Sequence, residues 1–135
     1  MSIKLLLAMR NEVFGKVFSD FITTRIDAQV VGICHSEYGL KNLYKELKPD
    51  ILLIDVKLGI LSYSFDLISD ILKDNSQAKI VGVTAYFQKD IEETLFKIGA
   101  KGYMKRNDNI ETMLAIIGRV NDGKTAFGTI PVNDR

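Results

Sequence analysis

The chain predicts a three-layer αβα sandwich around a five-stranded parallel sheet, and three observations carry that prediction. Short apolar runs fall at 3–8, 29–33, 51–55, 80–84 and 102–104. Stretches with helical periodicity lie between them, so strand and helix alternate five times. With 135 residues and 47% apolar content, the chain can bury one ordinary core and has no room for a second domain. Alternation of this kind calls for helices on both faces of the sheet and right-handed crossovers.

The first run, Ile3-Lys4-Leu5-Leu6-Leu7-Ala8, is followed by Phe14, Val17, Phe18, Phe21 and Ile22, spaced by threes and fours as a stripe that would cover one face of the sheet. Asn11 is placed to cap that helix. After the second run, Leu40, Leu43 and Leu47 mark a second helix. The turn Lys48-Pro49-Asp50 introduces Ile51-Leu52-Leu53-Ile54-Asp55, an unbroken apolar run of the kind a strand buried on both faces shows. Phe65, Ile68 and Leu72 mark the third helix, and Ile91, Leu95 and Ile98 the fourth, which Gly99 stops. Asp108 with Glu111 reads as a capping box for the last helix, whose apolar positions are Ile110, Met113, Leu114, Ile117 and Val120. Residues 1–122 form the domain, and 123–135, with Gly128, Pro131 and little periodicity, read as a tail or the start of a linker.

Composition removes several classes of function. Eighteen basic and 17 acidic residues leave a net charge of +1, so there is no basic field to gather nucleic-acid phosphates. One cysteine, Cys34, allows no internal disulfide and no zinc spacing, and it suits a reducing, cytoplasmic setting. No apolar run approaches the roughly 18 residues that span a bilayer. No paired acid and base, and no nucleophile with a histidine partner, can be assembled from the strand ends, which argues against an enzyme of independent turnover.

In a parallel sheet Met9 and Arg10, Cys34 and His35, Asp55, Thr84 and Ala85, and Lys105 and Arg106 emerge along one edge, where ligands of open α/β sheets collect. The pieces Lys48-Pro49-Asp50-Ile51-Leu52-Leu53-Ile54-Asp55, Ile80-Val81-Gly82-Val83-Thr84-Ala85 and Gly99-Ala100-Lys101-Gly102-Tyr103-Met104 follow one another at a telling spacing. Over about residues 3 to 122 they resemble the receiver domain of two-component response regulators, a flavodoxin-like (βα)5 fold. The resemblance implies Asp55 as the phosphoacceptor position, Thr84 as the hydroxyl that follows the phosphoryl group and Tyr103 as the switching aromatic. It also implies a sensor histidine kinase as partner and dimerisation through the fourth helix, fifth strand and fifth helix.

The chain departs from the family at three places. Met9-Arg10 stands where an acidic pair holds magnesium, a metal that depends on carboxylates and waters. Arg106 falls at the usual lysine after the fifth strand, beside Lys105 and ahead of Asn107. The loop after Asp55 carries Gly59 at the usual proline and Tyr63 where glycine is common. The expectation is an atypical receiver without cofactor, with impaired magnesium-dependent phosphorylation, acting through protein contacts. Arg10, with Arg106, is expected to reach Asp55 as a fixed cation that favours the charged carboxylate by about 1 to 3 pKa units. Two alternatives stand beside it. One is a conventional phosphorylated receiver controlling a DNA-binding output domain, with Glu12 or water completing the site. The other is a flavodoxin-like small-molecule module, although Met9-Arg10-Asn11-Glu12 lacks the glycines and hydroxyls of a phosphate cradle and His35 lacks the motif of a cobalamin ligand.

Overall fold

A computed structural model describes residues 2–59, 61–128 and 130. The elements alternate as expected: β1 (Ile3–Ala8), α1 (Glu12–Arg25), β2 (Ala28–Cys34), α2 (Leu40–Leu47), β3 (Ile51–Asp55), α3 (Phe65–Asp74), β4 (Ile80–Thr84), α4 (Lys89–Ile98), β5 (Gly102–Lys105) and α5 (Ile110–Asn121). All strand pairs are parallel, in the order β2-β1-β3-β4-β5. The order reverses between β1 and β3, so the strand ends open a crevice there.

Because strand side chains alternate between faces, each strand feeds two cores. Leu5, Leu7, Leu53 and Val81 pack toward α1 and α5 with Phe18, Ile22 and Ile117. Leu6, Leu52, Ile54 and Ile80 pack toward α2, α3 and α4 with Leu40, Ile68 and Leu95. Every residue of β3 and β4 is buried. At Gly82 a Cβ would stand 2.6 Å from the Leu95 side chain, so the missing side chain is what lets α4 close on β4.

Of four local expectations, two are met and two are not. Asn11 caps α1, its side chain accepting from Phe14 N at 2.8 Å, and Gly99 ends α4 in the left-handed region at φ 104°. At α5, however, the cap is Asn109, which accepts from Thr112 N. Asp108 instead accepts from Lys105 N at 2.9 Å, closing the turn after β5. The α1 stripe is also divided. Phe18 and Ile22 face the core, whereas Val17 and Phe21, expected on the sheet, are exposed along with Val13. Apolar residues at 13, 14, 17, 18, 21 and 22 form two adjacent stripes, and only docking selects one.

Beyond α5 the backbone turns at Gly123, φ 86°, and comes back along the sheet. Ala126 N donates to Lys101 O at 2.8 Å, and Tyr103 N donates to Ala126 O at 3.1 Å. This makes an isolated parallel bridge between Gly102 and Ala126. Phe127 is buried and meets Phe96 edge-on, with ring centroids 5.4 Å apart. Of 123–135, residues 129 and 131–135 lie outside the described residues.

Candidate functional site

The ends of β1, β3, β4 and β5 surround a cleft of about 710 Å³. Asp55, Thr84, Arg10 and Arg106 all line it, with Asn11 and Lys57. Lys105 does not, because its ammonium turns to Asp108 at 3.5 Å. The β2 end is also outside this lining. His35 Nδ1 lies 2.9 Å from Met9 O, and burial pushes the Cys34 thiol up from its ordinary range, which leaves it an apolar filler.

Asp55 ends β3 at 7% exposure. Its carboxylate accepts a hydrogen bond from the main-chain N–H of Arg10, with Oδ2 at 2.7 Å. The expected guanidinium contact is not made: among the described residues no ion pair joins Arg10 to Asp55, and the Arg10 side chain is exposed. The chain leaves β1 with its N–H aimed at β3, and an arginine side chain at that bend projects outward. The direction of the Asp55 shift is likewise corrected. Burial raises its pKa above the ordinary aspartate range, opposed first by the Arg10 N–H bond, then by the charge of Arg106, then by that of Arg10.

The walls are held by bonds that the sequence barely signals. Ser64, fully buried, donates to Asp55 O at 2.9 Å and accepts from Leu58 N at 3.2 Å. It thereby pins both ends of the loop after β3 rather than capping α3 with its side chain. A serine just ahead of Phe65 reads as an N-cap from sequence, so its larger role was hidden. Thr84 donates to Tyr86 O at 2.9 Å, and Arg106 N donates to Thr84 O at 2.8 Å. The Arg106 guanidinium lies 5.7 Å from the Phe14 ring centre, and Lys57 sits over Tyr63 at 5.1 Å. Tyr103 is buried, its ring 5.6 Å from Phe87 and its hydroxyl accepting from Gln88 N at 3.4 Å. Burial raises its pKa, opposed by hydrogen bonding with Thr84 and Gln88 and helped by the charges of Glu92 and Asp90.

Magnesium requires oxygen ligands in near-octahedral geometry. The β1 end supplies the buried Met9 thioether and Arg10 instead, and among the described residues Asp55 is the one carboxylate that lines the cleft. Among the described residues no group of three His, Cys, Asp or Glu is placed to hold a metal. The residues present do not fit this ion. What they form is a buried carboxylate in a cleft that Arg10, Lys57, Arg106 and Thr84 also line, a set of charges that favours an anion or a polar partner group.

No family model matches the chain. It is 31% identical over 96 residues to the response regulator GacA of Pseudomonas aeruginosa, covering 71% of this chain and 44% of that protein. It is 29% identical over 101 residues to the chemotaxis protein CheY of Thermotoga maritima, covering 75% of this chain and 83% of that one. The solved structure of a LuxR-family two-component response regulator from Aurantimonas superposes with a TM-score of 0.87 at 20% identity, over 93% of this chain and 89% of that one. The chain spans about half the length of several curated relatives it matches. Among the described residues no helix is long and apolar enough to cross a membrane.

Proposed function

From the premise that the chain is a receiver domain of the response-regulator kind, which its fold and its curated relatives support, we propose that it is an atypical receiver. Magnesium-dependent phosphorylation at Asp55 is impaired, and the domain regulates through protein contacts. The observation that carries this reading is the β1 end: a buried thioether and a cation stand beside a carboxylate that accepts the Arg10 N–H.

Asp55 keeps the phosphoacceptor position, Thr84 and Tyr103 are the switch pair, and Arg10 and Arg106 supply fixed positive charge where a metal would act. Lys105, tied to Asp108, braces the turn between β5 and α5. Fixed cations stabilise charge at the cleft without recruiting an ion, which favours a polar contact from a partner over metal-assisted phosphoryl transfer. A sensor histidine kinase is the partner proposed for the cleft in any residual phosphorylation. The surface of α4, β5 and α5, with Lys97, Lys101, Arg119 and Asp122, is proposed to meet a second copy. Whatever accompanies this domain in a longer regulator, including a DNA-binding output, would receive the signal through these contacts.

The test is an NMR titration with magnesium, then magnesium with beryllofluoride, following the amides of Asp55, Thr84 and Tyr103. The expected result is no saturable response at millimolar metal, with a response appearing in Arg10→Asp. Saturable shifts in the unaltered chain that reach Tyr103 overturn the reading and favour the conventional phosphorylated receiver.

A further inference from the structure

The cleft over Asp55 carries more positive charge than one carboxylate balances. Arg10, Lys57 and Arg106 line it, and among the described residues Asp55 is the one carboxylate that does. At full ionisation this leaves an excess of two positive charges in the lining. Among the described residues the ion pairs are made by Lys41, Lys45 and Lys105 instead, so no acidic side chain pairs with the three cleft cations.

Two of those cations are seated on aromatic rings. The Arg106 guanidinium lies over Phe14, which stacks on Phe18 with ring centroids 5.5 Å apart. The Lys57 ammonium lies over Tyr63, which stacks on Phe65 at 5.2 Å. A ring attracts the cation above it without cancelling its charge. A side chain already placed in this way loses less freedom when an anion arrives.

The size of the cleft and the rest of its wall narrow the class of ligand. A water molecule takes about 30 Å³ in the liquid, so an inorganic anion of a few atoms would leave most of the 710 Å³ open. Cavities of this size suit a small organic molecule. The lining also includes Val83, Ala85 and Tyr86. Tyr86 is 81% exposed, and its carbonyl accepts the Thr84 hydroxyl at 2.9 Å. An exposed ring anchored through its main chain offers a surface on which a flat apolar body can stack.

We propose that the cleft binds a small organic dianion with an aromatic body, its acidic groups held by Arg10, Lys57 and Arg106 and its ring against Tyr86. This deepens the reading above and rests on it, because a cleft that took magnesium would have a different balance of charge. Such a ligand brings negative charge beside Thr84 with no covalent step.

The experiment is an NMR titration of the full chain with phthalate, an aromatic dicarboxylate, beside benzoate, which has the ring and one charge, and succinate, which has two charges and no ring. Phthalate is expected to give saturable shifts at the amides of Lys57, Tyr86 and Arg106 at millimolar concentration. Benzoate and succinate are each expected to bind about tenfold more weakly, the scale of one lost charge-assisted or stacking contact. Lys57→Gln and Arg106→Gln, each first shown to unfold cooperatively, are expected to weaken phthalate by about tenfold, and Tyr86→Ala to narrow the gap between phthalate and succinate. Shifts that stay linear in phthalate overturn the ligand. Equal binding of phthalate and benzoate overturns the second charge, and equal binding of phthalate and succinate overturns the aromatic body. If phthalate fails and magnesium also gives no response, the inference falls and the atypical receiver stands. A saturable magnesium response that reaches Tyr103 overturns both.

Discussion

Asp55 and Glu92 are both buried carboxylates that accept a main-chain N–H, from Arg10 at 2.7 Å and from Gly128 at 2.9 Å, yet they serve different ends of the molecule. Asp55 sits at the floor of an open cleft ringed by Arg10, Lys57 and Arg106. Glu92 is closed over by the segment that it holds, at the lateral edge of the sheet. Burial and a single backbone bond therefore do not mark a carboxylate as a site of chemistry. What separates the two is their surroundings: Asp55 lies in a cleft lined by cations, and Glu92 lies under the segment that it holds. One carboxylate faces what arrives from outside, and the other faces the chain itself.

The sharpest way to break this contrast is at Phe127, in the segment that returns along β5. Phe127→Ala should destabilise the protein by about 3 kcal/mol in urea unfolding, because the ring is enclosed in the core and meets Phe96 edge-on. A much smaller loss would mean that the segment frays before the domain unfolds and adds little to the core. Glu92→Ala should cost about 2 kcal/mol by the same measurement, since it leaves the Gly128 N–H to find another acceptor. At the cleft, Asn11→Ala removes the cap of α1 and should cost about 1 kcal/mol, with fluorescence or circular dichroism reporting the shift in midpoint. The smallest effect is expected at Asp55. Its folded pKa is raised, so in the window above the ordinary aspartate value the native state binds more protons than the unfolded chain. Its contribution to stability is fully present below that value and is lost as pH rises through the folded pKa. Asp55→Asn should accordingly gain on the unaltered chain across that window and hold a constant advantage above it. A difference that shrinks with rising pH would show that the cations, and not burial, govern this carboxyl.

The alternation of strands and helices was legible, as were the buried runs of β3 and β4, the Asn11 cap and the Gly99 stop. Local composition carries such information, because an apolar run or a capping side chain acts within a few residues of itself. The α1 stripe was legible only as apolar: Val17 and Phe21 share its periodicity with Phe18 and Ile22 but face outward. Asp108 and Asn109 were adjacent candidates for one cap, and the turn to Lys105 claimed the first. Ser64 looked like a cap and proved to be the tie across the loop after Asp55.

The sequence by itself determined that there would be a parallel sheet with Asp55, Thr84, Arg10 and Arg106 at one edge, since strand direction and chain order place them there whatever the side-chain detail. Only the tertiary structure decided that Arg10 would reach Asp55 through its N–H, that Lys105 would turn away, and that a segment with little periodicity would bury Phe127 against α4. Each of these depends on pairing between residues about 25 or more positions apart, or between competing partners for one group. A periodicity or a short motif carries no record of such choices.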